Sequence, residues 1–281
     1  MRAVCITANF YDYTVRLANS LSKKATVLLM LPDNTPREYL DEVNKNTKLY
    51  LFKNIKTYSP LSILMFYRMM VGIQKFKPDM VHFQVDKPGF CLLLALLKFM
   101  KYPVVVIVHD VKAHIGEEKL ITQIVLYAAI NLADRVIVHG GKLKQEMMKE
   151  YDIPAEKIDI TPIGEHEVQQ FKKDRVRGID EGENLVLFFG RIYEYNGLRY
   201  LIGAEPIITA QIPDAKIIIA GVGEKFKKYE DMMVNRDKFI VYNRHISYRE
   251  GAELFQRCSV VVLPYVDASQ SGVIPVVVIK S

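Results

Sequence analysis

Short apolar segments rich in β-branched residues alternate with longer helical patterns along this chain, and this alternation limits the fold more than any other feature. In the first part, five such segments predict strands, at Ala3–Ala8, Ala25–Leu31, Met80–Gln84, Val104–Val108 and Arg135–Val138. The segments between and after them predict helices, at Tyr13–Lys23, Leu61–Phe76, Phe90–Met100, Leu120–Asn131 and Lys142–Tyr151. Strands that are apolar on both faces belong to parallel sheets covered by helices.

The alternation stops after Gly164 and resumes at Leu185, because the stretch between them is charged and nearly free of apolar pairs, as an exposed linker would be. Beyond it, strands are predicted at Leu185–Phe189, Lys216–Ala220, Phe239–Val241 and Val260–Leu263. Helices are predicted at Leu198–Ala210, Lys225–Val234 and Tyr248–Arg257. We therefore predict an α/β fold of two Rossmann-like parallel-sheet domains: residues 1–166, a linker at 167–184, and an incomplete domain at 185–281.

Composition favours a cytoplasmic globular protein. The three cysteines lie in apolar runs and form no CxxC pair, so they are predicted to be small buried residues of a reducing compartment. The N-terminus lacks the apolar region and cleavage site of a signal peptide. Phe90–Met100 is apolar but interrupted by Lys98, and it is too short to span a bilayer.

Positive charge is concentrated in the first part of the chain. Residues 1–180 hold 26 Lys and Arg against 20 Asp and Glu, whereas residues 181–281 hold 12 of each. This asymmetry indicates an anionic partner for the first domain or peripheral attraction to an anionic membrane at the inner face. A solvated basic face is an equal alternative, and nucleic acid is not expected because no binding motif is present.

Three glycine-containing turns follow strand-like runs in the second domain, where ligands of open α/β sheets bind. The first contains Gly190-Arg191 and Asn196-Gly197, the second is Gly221-Val222-Gly223-Glu224, and the third is Ser269-Gln270-Ser271-Gly272. The guanidinium of Arg191 can hold a phosphate through two hydrogen bonds, and backbone N–H groups of the later turns can face an anion. The alternatives are an Arg191–Glu194 ion pair, a plain strand-to-helix connection and an ordinary helix cap.

Histidines follow two strands of the first domain. His109 ends the strongest apolar run and can hydrogen-bond a substrate hydroxyl, although a lone histidine is more often structural. His114 follows shortly after it. His139 precedes Gly140-Gly141, which favours a turn in which one glycine has positive φ. His82 lies within a strand pattern and is predicted to pack in the core.

The order of these motifs resembles the retaining glycosyltransferases of family 4, across nearly the whole chain. The matching segments are Asp134–His139, Ile153–Ile158, Gly190–Ile192, Ile212–Lys216 and Ala252–Phe255. The resemblance implies the GT-B architecture of two facing Rossmann-like domains. It also implies an acceptor on the first domain and a UDP- or GDP-linked sugar donor on the second, with no cofactor and no metal ion.

The resemblance also implies roles for individual residues. Arg191 would contact the donor diphosphate and take part in catalysis, and His109 would be the catalytic strand-end histidine that faces the transferred sugar. The other donor-binding positions would be Asn196, Gly221, Gly223, Glu224, Ser269, Gln270, Ser271 and Gly272.

The sequence departs from the family pattern in three ways. The family's Lys-Gly pair is Asn196-Gly197 here, and its two glutamates eight residues apart fall at Ser269 and Val277. A Ser-Gln-Ser-Gly turn is used by some members in place of the first glutamate. Finally, about a third of the second domain would follow Ser281, so we expect a truncated product.

Two functional hypotheses follow. The first is a retaining hexosyltransferase-type enzyme of polysaccharide or glycolipid biosynthesis, with a glycan or a lipid-linked molecule as its acceptor. The second is a catalytically impaired remnant or a non-catalytic subunit that binds sugar nucleotides. A phosphorylase or epimerase of similar shape is a weaker third, because such epimerases need acidic pairs that we cannot place.

Overall fold

The computed structural model describes residues 1–55, 59–84, 89–111, 120–162, 184–223, 226–267 and 273. These residues belong to two compact units, one within residues 1–162 and one that includes residues 184–267. The predicted boundary and linker at 167–184 fall almost entirely on residues outside that description, so they stay predictions. Each unit contains its own parallel sheet.

The first unit is built on a sheet whose described strands are all parallel and lie in the order β3-β2-β1-β4-β5-β6-β7. The strands are β1 (Arg2–Ile6), β2 (Thr26–Pro32), β3 (Thr47–Phe52), β4 (Met80–Gln84), β5 (Val104–Ile107), β6 (Arg135–Val138) and β7 (Ile158–Ile160). The order reverses beside β1, which is the topology of doubly wound α/β sheets.

Helices cover both faces of this sheet. They are α1 (Tyr11–Leu21), α2 (Arg37–Asp41), α3 (Leu61–Phe76), α4 (Phe90–Phe99), α5 (Leu120–Leu132) and α6 (Gly141–Tyr151). Side chains alternate along β1, so Val4 and Ile6 enter the larger core with α3 and α4 while Cys5 packs against α1. Burial on both faces explains why the strands are continuous apolar runs.

The sequence analysis missed two strands, β3 and β7, and the short helix α2. Strand β3 lies at the sheet edge, where Lys48, Leu49 and Leu51 are exposed, and Lys48 interrupts the apolar run that marks a buried strand. Strand β7 has only three residues, with Asp159 at its centre. Edge strands need to bury only part of one face, so their sequences carry a weaker signal.

The second unit contains the strand order β10-β9-β8-β11, again parallel. Its strands are β8 (Leu185–Phe189), β9 (Lys216–Gly221), β10 (Phe239–Asn243) and β11 (Val260–Val261). Its helices are α7 (Leu198–Gln211), α8 (Lys227–Glu230) and α9 (Tyr248–Arg257). Apolar clusters on the two sheet faces include Phe188 with Leu201 on one side and Leu187 with Leu254 on the other.

Two elements of this unit are shorter than predicted. The helix predicted over Lys225–Val234 comprises only Lys227–Glu230, and i to i+3 hydrogen bonds from the amides of Met232 and Met233 tighten the chain after it. Strand β11 ends at Val261 instead of Leu263. Pro264 follows shortly and has no N–H with which to continue a ladder.

Candidate functional site

The carboxyl edge of the second sheet is formed by loops that touch backbone to backbone. The amide of Gly190 donates to the carbonyl of Ala220 at 3.0 Å, and the amide of Ile192 donates to the carbonyl of Val222 at 2.8 Å. Backbone hydrogen bonds therefore join the loop after β8 to the loop after β9 beyond the ends of their strands. The first two glycine turns of the sequence form one continuous surface.

Gly221 and Gly223 permit this close approach. Gly221 has a φ of +149°, and a Cβ atom there would lie 1.8 Å from the carbonyl oxygen of Gly190. A Cβ atom on Gly223 would lie 2.4 Å from Ile192. The amide of Gly223 donates to Oδ1 of Asn243 at 3.0 Å, so this N–H is used within the unit. The glycines are therefore needed for backbone packing here, and their donor contacts stay predictions.

Gly197 joins the loop after β8 to the segment after β11. It adopts a left-handed φ of +70°, and a Cβ atom there would lie 1.8 Å from the carbonyl oxygen of Pro264. The amide of Val266 donates to the carbonyl of Tyr195 at 2.8 Å in the same contact. Three separate chain segments thus meet around residues 190–197.

Arg191 lies on this surface beside two aromatic rings. Its exposed guanidinium is 5.5 Å from the ring centre of Tyr193 and 5.7 Å from that of Tyr195. The two tyrosine rings are parallel within 8°, with centres 5.9 Å apart. Cation–π contact restrains the orientation of the guanidinium. Glu194, the carboxylate that the sequence offered as an alternative partner, pairs instead with Arg199 and Lys228 at 3.8 and 3.7 Å.

Asn196 organises the loop that carries Arg191. Its Nδ2 donates to the backbone carbonyl of Arg191 at 2.5 Å, and only 9% of the residue is exposed. The side chain is therefore directed into the loop. It holds the backbone of Arg191 in place. The family pattern instead implies a lysine ammonium at this position.

Five predicted donor-binding positions lie outside the described residues: Glu224, Ser269, Gln270, Ser271 and Gly272. His114 also lies outside the described residues. Their roles stay predictions of the sequence.

The carboxyl edge of the first sheet is built from side chains around His109. This residue lies two positions after the end of β5. The ring of Phe10 stacks on the imidazole with centres 4.1 Å apart. Tyr13 meets it edge-on at 5.4 Å, and His139, just beyond β6, is 5.1 Å away. His109 is thus enclosed by rings from the segment after β1, from α1 and from the segment after β6.

Gln84, the last residue of β4, determines the tautomer of His109. Its Nε2 donates to the hydroxyl of Thr14, and that hydroxyl donates to the carbonyl of Phe10 at 2.7 Å. Oε1 of Gln84 therefore faces His109 as an acceptor, 3.0 Å from Nε2. His109 carries its proton on Nε2, which leaves Nδ1 as an acceptor.

Burial keeps the histidines of this edge neutral. It lowers the pKa of His109 to about 4, with the nearby His139 as a second cause, and it lowers the pKa of His82 to about 4 as well. The pKa of His139 is also lowered by burial, against a raising effect from its bond to Thr161. His109 is therefore a neutral hydrogen-bonding group near pH 7.

His82 and His139 differ from His109 in their hydrogen bonds. His82 is buried on β4, as predicted, and neither ring nitrogen has a partner among the described residues. His139 donates from Nδ1 to the carbonyl of Thr161 at 2.8 Å. The predicted positive φ at Gly140 or Gly141 is wrong, because Gly140 is extended with a φ of 174° and Gly141 begins α6. The two residues between β6 and α6 make the turn without a left-handed residue.

Sequence reasoning missed four residues of this edge: Phe10, Tyr13, Thr14 and Gln84. One signal was available for Gln84, because Gln84, His109 and His139 each lie at or just after the end of β4, β5 and β6, which are neighbours in the sheet. Polar residues at adjacent strand ends indicate a shared edge. No comparable signal marks Phe10 or Tyr13, whose positions depend on how α1 packs.

Comparison with protein families identifies the class. Residues 12–164 match the model of Glycosyltransferase Family 4, and residues 169–279 match that of the glycosyl transferases group 1. This chain belongs to Glycosyltransferase Family 4. It is also 27% identical over 144 residues to an uncharacterized glycosyltransferase of Methanocaldococcus jannaschii. That match covers 47% of this chain and 36% of the archaeal protein.

Solved structures share the fold at low sequence identity. HepE of Anabaena, in complex with UDP and glucose, is 16% identical, with a TM-score of 0.67 over 98% of this chain and 77% of HepE. The UDP-GlcNAc 2-epimerase of Neisseria meningitidis, bound to UDP-GlcNAc, is 14% identical, with a TM-score of 0.66 over 93% of this chain and 77% of the epimerase. These similarities confirm the predicted α/β fold with Rossmann-like parallel sheets of the GT-B type.

Proposed function

We propose that this chain is a retaining glycosyltransferase that transfers a hexose from a nucleoside diphosphate to a glycan or lipid-linked acceptor. The observation that carries the proposal is the loop Gly190–Gly197, which holds Arg191 at the carboxyl edge of the second sheet and is fastened by backbone contacts on two sides. A guanidinium held in this way can bind a diphosphate without reorganising.

The chemistry of the donor fits these groups. Departure of the sugar leaves negative charge on the diphosphate, which Arg191 would stabilise with the predicted Ser269–Gly272 turn. No residue-held metal ion is required in this scheme. HepE and the Neisseria epimerase are seen with uridine nucleotides, which supports UDP over GDP as the carrier.

His109 would position the transferred sugar. Because its proton is on Nε2 and engaged by Gln84, Nδ1 can accept a hydrogen bond from a sugar hydroxyl. Its low pKa means that the imidazole does not compete as a cation near the developing positive charge of the sugar. The ring would orient the substrate without exchanging a proton.

Two measurements test the proposal. We expect UDP-glucose or UDP-GlcNAc at millimolar concentration to raise the melting temperature of the purified chain, and GDP-mannose to raise it less. With a lipid-linked acceptor, we expect UDP release and a product whose anomeric configuration, determined by NMR, matches that of the donor. No shift with any sugar nucleotide would refute donor binding, and an inverted product would refute retention.

Asn196 favours a second candidate, a non-catalytic subunit that binds sugar nucleotides. The family pattern has lysine at this position, whereas the asparagine side chain is engaged with its own loop. Loss of an ammonium would remove a charge-assisted contact of about 1.5–3 kcal/mol. This candidate predicts a thermal shift without transfer, and measurable transfer in Asn196→Lys; ordinary turnover by the unmodified chain would exclude it.

A further inference from the structure

Helices α3, α4 and α5 lie side by side on one face of the first sheet. The rings of Phe66 and Phe90 meet edge-on at 5.4 Å between α3 and α4. Sγ of Cys91 on α4 lies 3.5 Å from the carbonyl oxygen of Val125 on α5. Their inner sides enter the main core, so the three helices form a continuous layer whose other side faces outward.

The outward side of this layer is apolar. Phe99 is 86% exposed and Leu120 is 74% exposed, and other large apolar side chains on the same helices are exposed as well. We define the apolar helix face by six of them: Ile63, Tyr67, Leu92, Phe99, Leu120 and Ile124. Helices that only separate a core from water carry charged outer sides, whereas a contiguous exposed apolar surface marks an interaction site.

The charges on these helices have one sign. Within α3, α4 and α5 the charged residues are Arg68, Lys75 and Lys98, and there is no acidic residue. Arg68 and Lys75 are exposed, and so is Lys101 just after α4, while Lys98 pairs with Asp134 at 2.6 Å. The exposed charges that α3 and α4 bring to the apolar helix face are therefore positive, in agreement with the excess of Lys and Arg over residues 1–180.

Charge distinguishes between the occupants that such a face could have. A symmetric dimer places the same patch of two copies together, so it would oppose Arg68, Lys75 and Lys101 with their equivalents and supply no carboxylate from these helices. An anionic bilayer complements both features, because its headgroups attract cations and its acyl boundary accepts apolar side chains. None of the described helices is long and apolar enough to cross a bilayer.

We propose that the apolar helix face docks this protein on the surface of a membrane that contains anionic lipid. The helices lie in the interface plane, with Phe99, Leu120 and Ile124 inserted below the headgroups and Tyr67 at their level. Arg68, Lys75 and Lys101 contact the headgroups. Docking uses only the first unit and does not depend on donor binding.

The orientation of the helices links this surface to the edge that carries His109. In a parallel sheet each connecting helix begins at the carboxyl edge and runs back toward the amino edge. Ile63 and Tyr67 lie in the first two turns of α3, and Leu120 and Ile124 in the first two turns of α5. If the proposed function holds, docking brings the lipid-linked acceptor to this edge.

Liposome flotation of the full 281-residue chain tests the proposal. The vesicles contain phosphatidylcholine alone or with phosphatidylglycerol. We expect the unmodified chain to float with the anionic vesicles, to float less with the neutral ones, and to be released by salt. The triple variant Ile63→Gln, Phe99→Gln, Ile124→Gln should lose about tenfold or more in vesicle affinity. Arg68→Gln and Lys75→Gln should each lose about fivefold on anionic vesicles.

A matched triple variant controls for loss of surface apolarity. Ile207→Gln, Met232→Gln and Val234→Gln replace exposed apolar residues of the second unit and should float like the unmodified chain. Circular dichroism verifies that both triples are folded, and the UDP-glucose thermal shift reports donor binding separately. The docking proposal can thus fail while the donor proposal holds, and the donor proposal can fail while the docking proposal holds.

Three outcomes would overturn docking. The unmodified chain could fail to float with anionic vesicles, or the face triple could float as well as the control triple. In the third outcome, the unmodified chain does not float and sediments as a dimer, whereas the triple variant of the apolar helix face sediments as a monomer. That result would assign the apolar helix face to a second copy of this chain.

Discussion

The carboxyl edges of the two sheets carry the predicted site residues on different kinds of surface. In the first unit, the surroundings of His109 are side chains: Phe10 stacks on it, and Gln84 orients it. In the second unit, the loop that carries Arg191 is held by backbone, with the chain at Gly221 too close to Gly190 for any Cβ atom. One edge is assembled from rings and amides and the other from glycine turns.

This difference has physical consequences. A surface of buried imidazoles responds to pH, because protonation is opposed by desolvation. A surface of packed backbone does not titrate, and it presents fixed groups to a ligand. Its close packing leaves no room for added side-chain atoms. We therefore expect the first edge to be sensitive to acid and tolerant of small additions in its turns. We expect the second edge to be insensitive to acid and intolerant of small additions in its turns.

The largest effect should come from Gly221→Val. The new Cβ atom would coincide with the carbonyl oxygen of Gly190, at a φ that side chains rarely adopt. We expect the second unit to lose more than about 4 kcal/mol of stability or to fail to fold, measured by urea unfolding with circular dichroism.

Gly203→Ala is the matched control for that variant. Gly203 lies inside α7, and no atom lies within 4 Å of the position that an added Cβ atom would take. Alanine there should stabilise the helix by up to about 1 kcal/mol. Equal unfolding midpoints for Gly221→Val and the unmodified chain would show that the loops are not held by backbone contact.

Removal of Arg191 should weaken donor binding with little effect on folding. A lost charge-assisted contact of about 1.5–3 kcal/mol corresponds to roughly a 10- to 100-fold loss of affinity for UDP-glucose in Arg191→Ala. Arg191→Lys should restore little, because an ammonium lacks the planar pair of donors. Isothermal titration calorimetry measures both.

Arg199→Ala provides the comparison for Arg191. Arg199 is exposed at the start of α7 and contacts Tyr200 and Glu194. Its loss should leave donor affinity unchanged. A similar loss of affinity in both variants would mean that general positive charge, and not the fastened guanidinium, attracts the donor.

Acid should destabilise the first unit. The pKa of His82 and of His109 is about 4 in the folded protein and about 6.5 in an unfolded chain. Between those values the unfolded state binds more protons, so the free energy of unfolding rises with pH and is fully present above about 6.5. Each histidine contributes up to about 1.4 kcal/mol per pH unit in that window.

His82→Leu tests the origin of this dependence. Leucine removes two ring nitrogens that have no partner among the described residues, so we expect a shallower fall in stability between pH 6.5 and 4. The exposed His245, replaced by Gln, is the control and should leave the slope as it was. An unchanged slope in His82→Leu would contradict the assigned pKa.

The smallest effect should come from Gly140→Ala. Gly140 occupies a strand-to-helix turn of the first unit, comparable in position with the turn that contains Gly223, but its backbone is extended and no atom lies within 4 Å of an added Cβ. Stability should change by less than about 0.5 kcal/mol. A large loss would remove the distinction between the two edges.

The sequence predicted the fold well where burial imposes a pattern. Met80–Gln84, Arg135–Val138, Leu61–Phe76 and Tyr248–Arg257 were predicted with the bounds that the structure shows. Strand β3 was missed because an edge strand tolerates a charged residue such as Lys48 within its apolar run. The predicted truncation and domain boundary are untested and stay predictions.

The sequence by itself determined where the site residues lie along the chain. Strand periodicity placed His109, Arg191, Gly221 and Gly223 at strand ends, because every parallel strand in such a sheet ends at the same edge. Which residues surround them was decided by tertiary structure alone. Phe10 on His109, and Gly221 against Gly190, are contacts between segments 99 and 31 residues apart, and no local pattern records such distances.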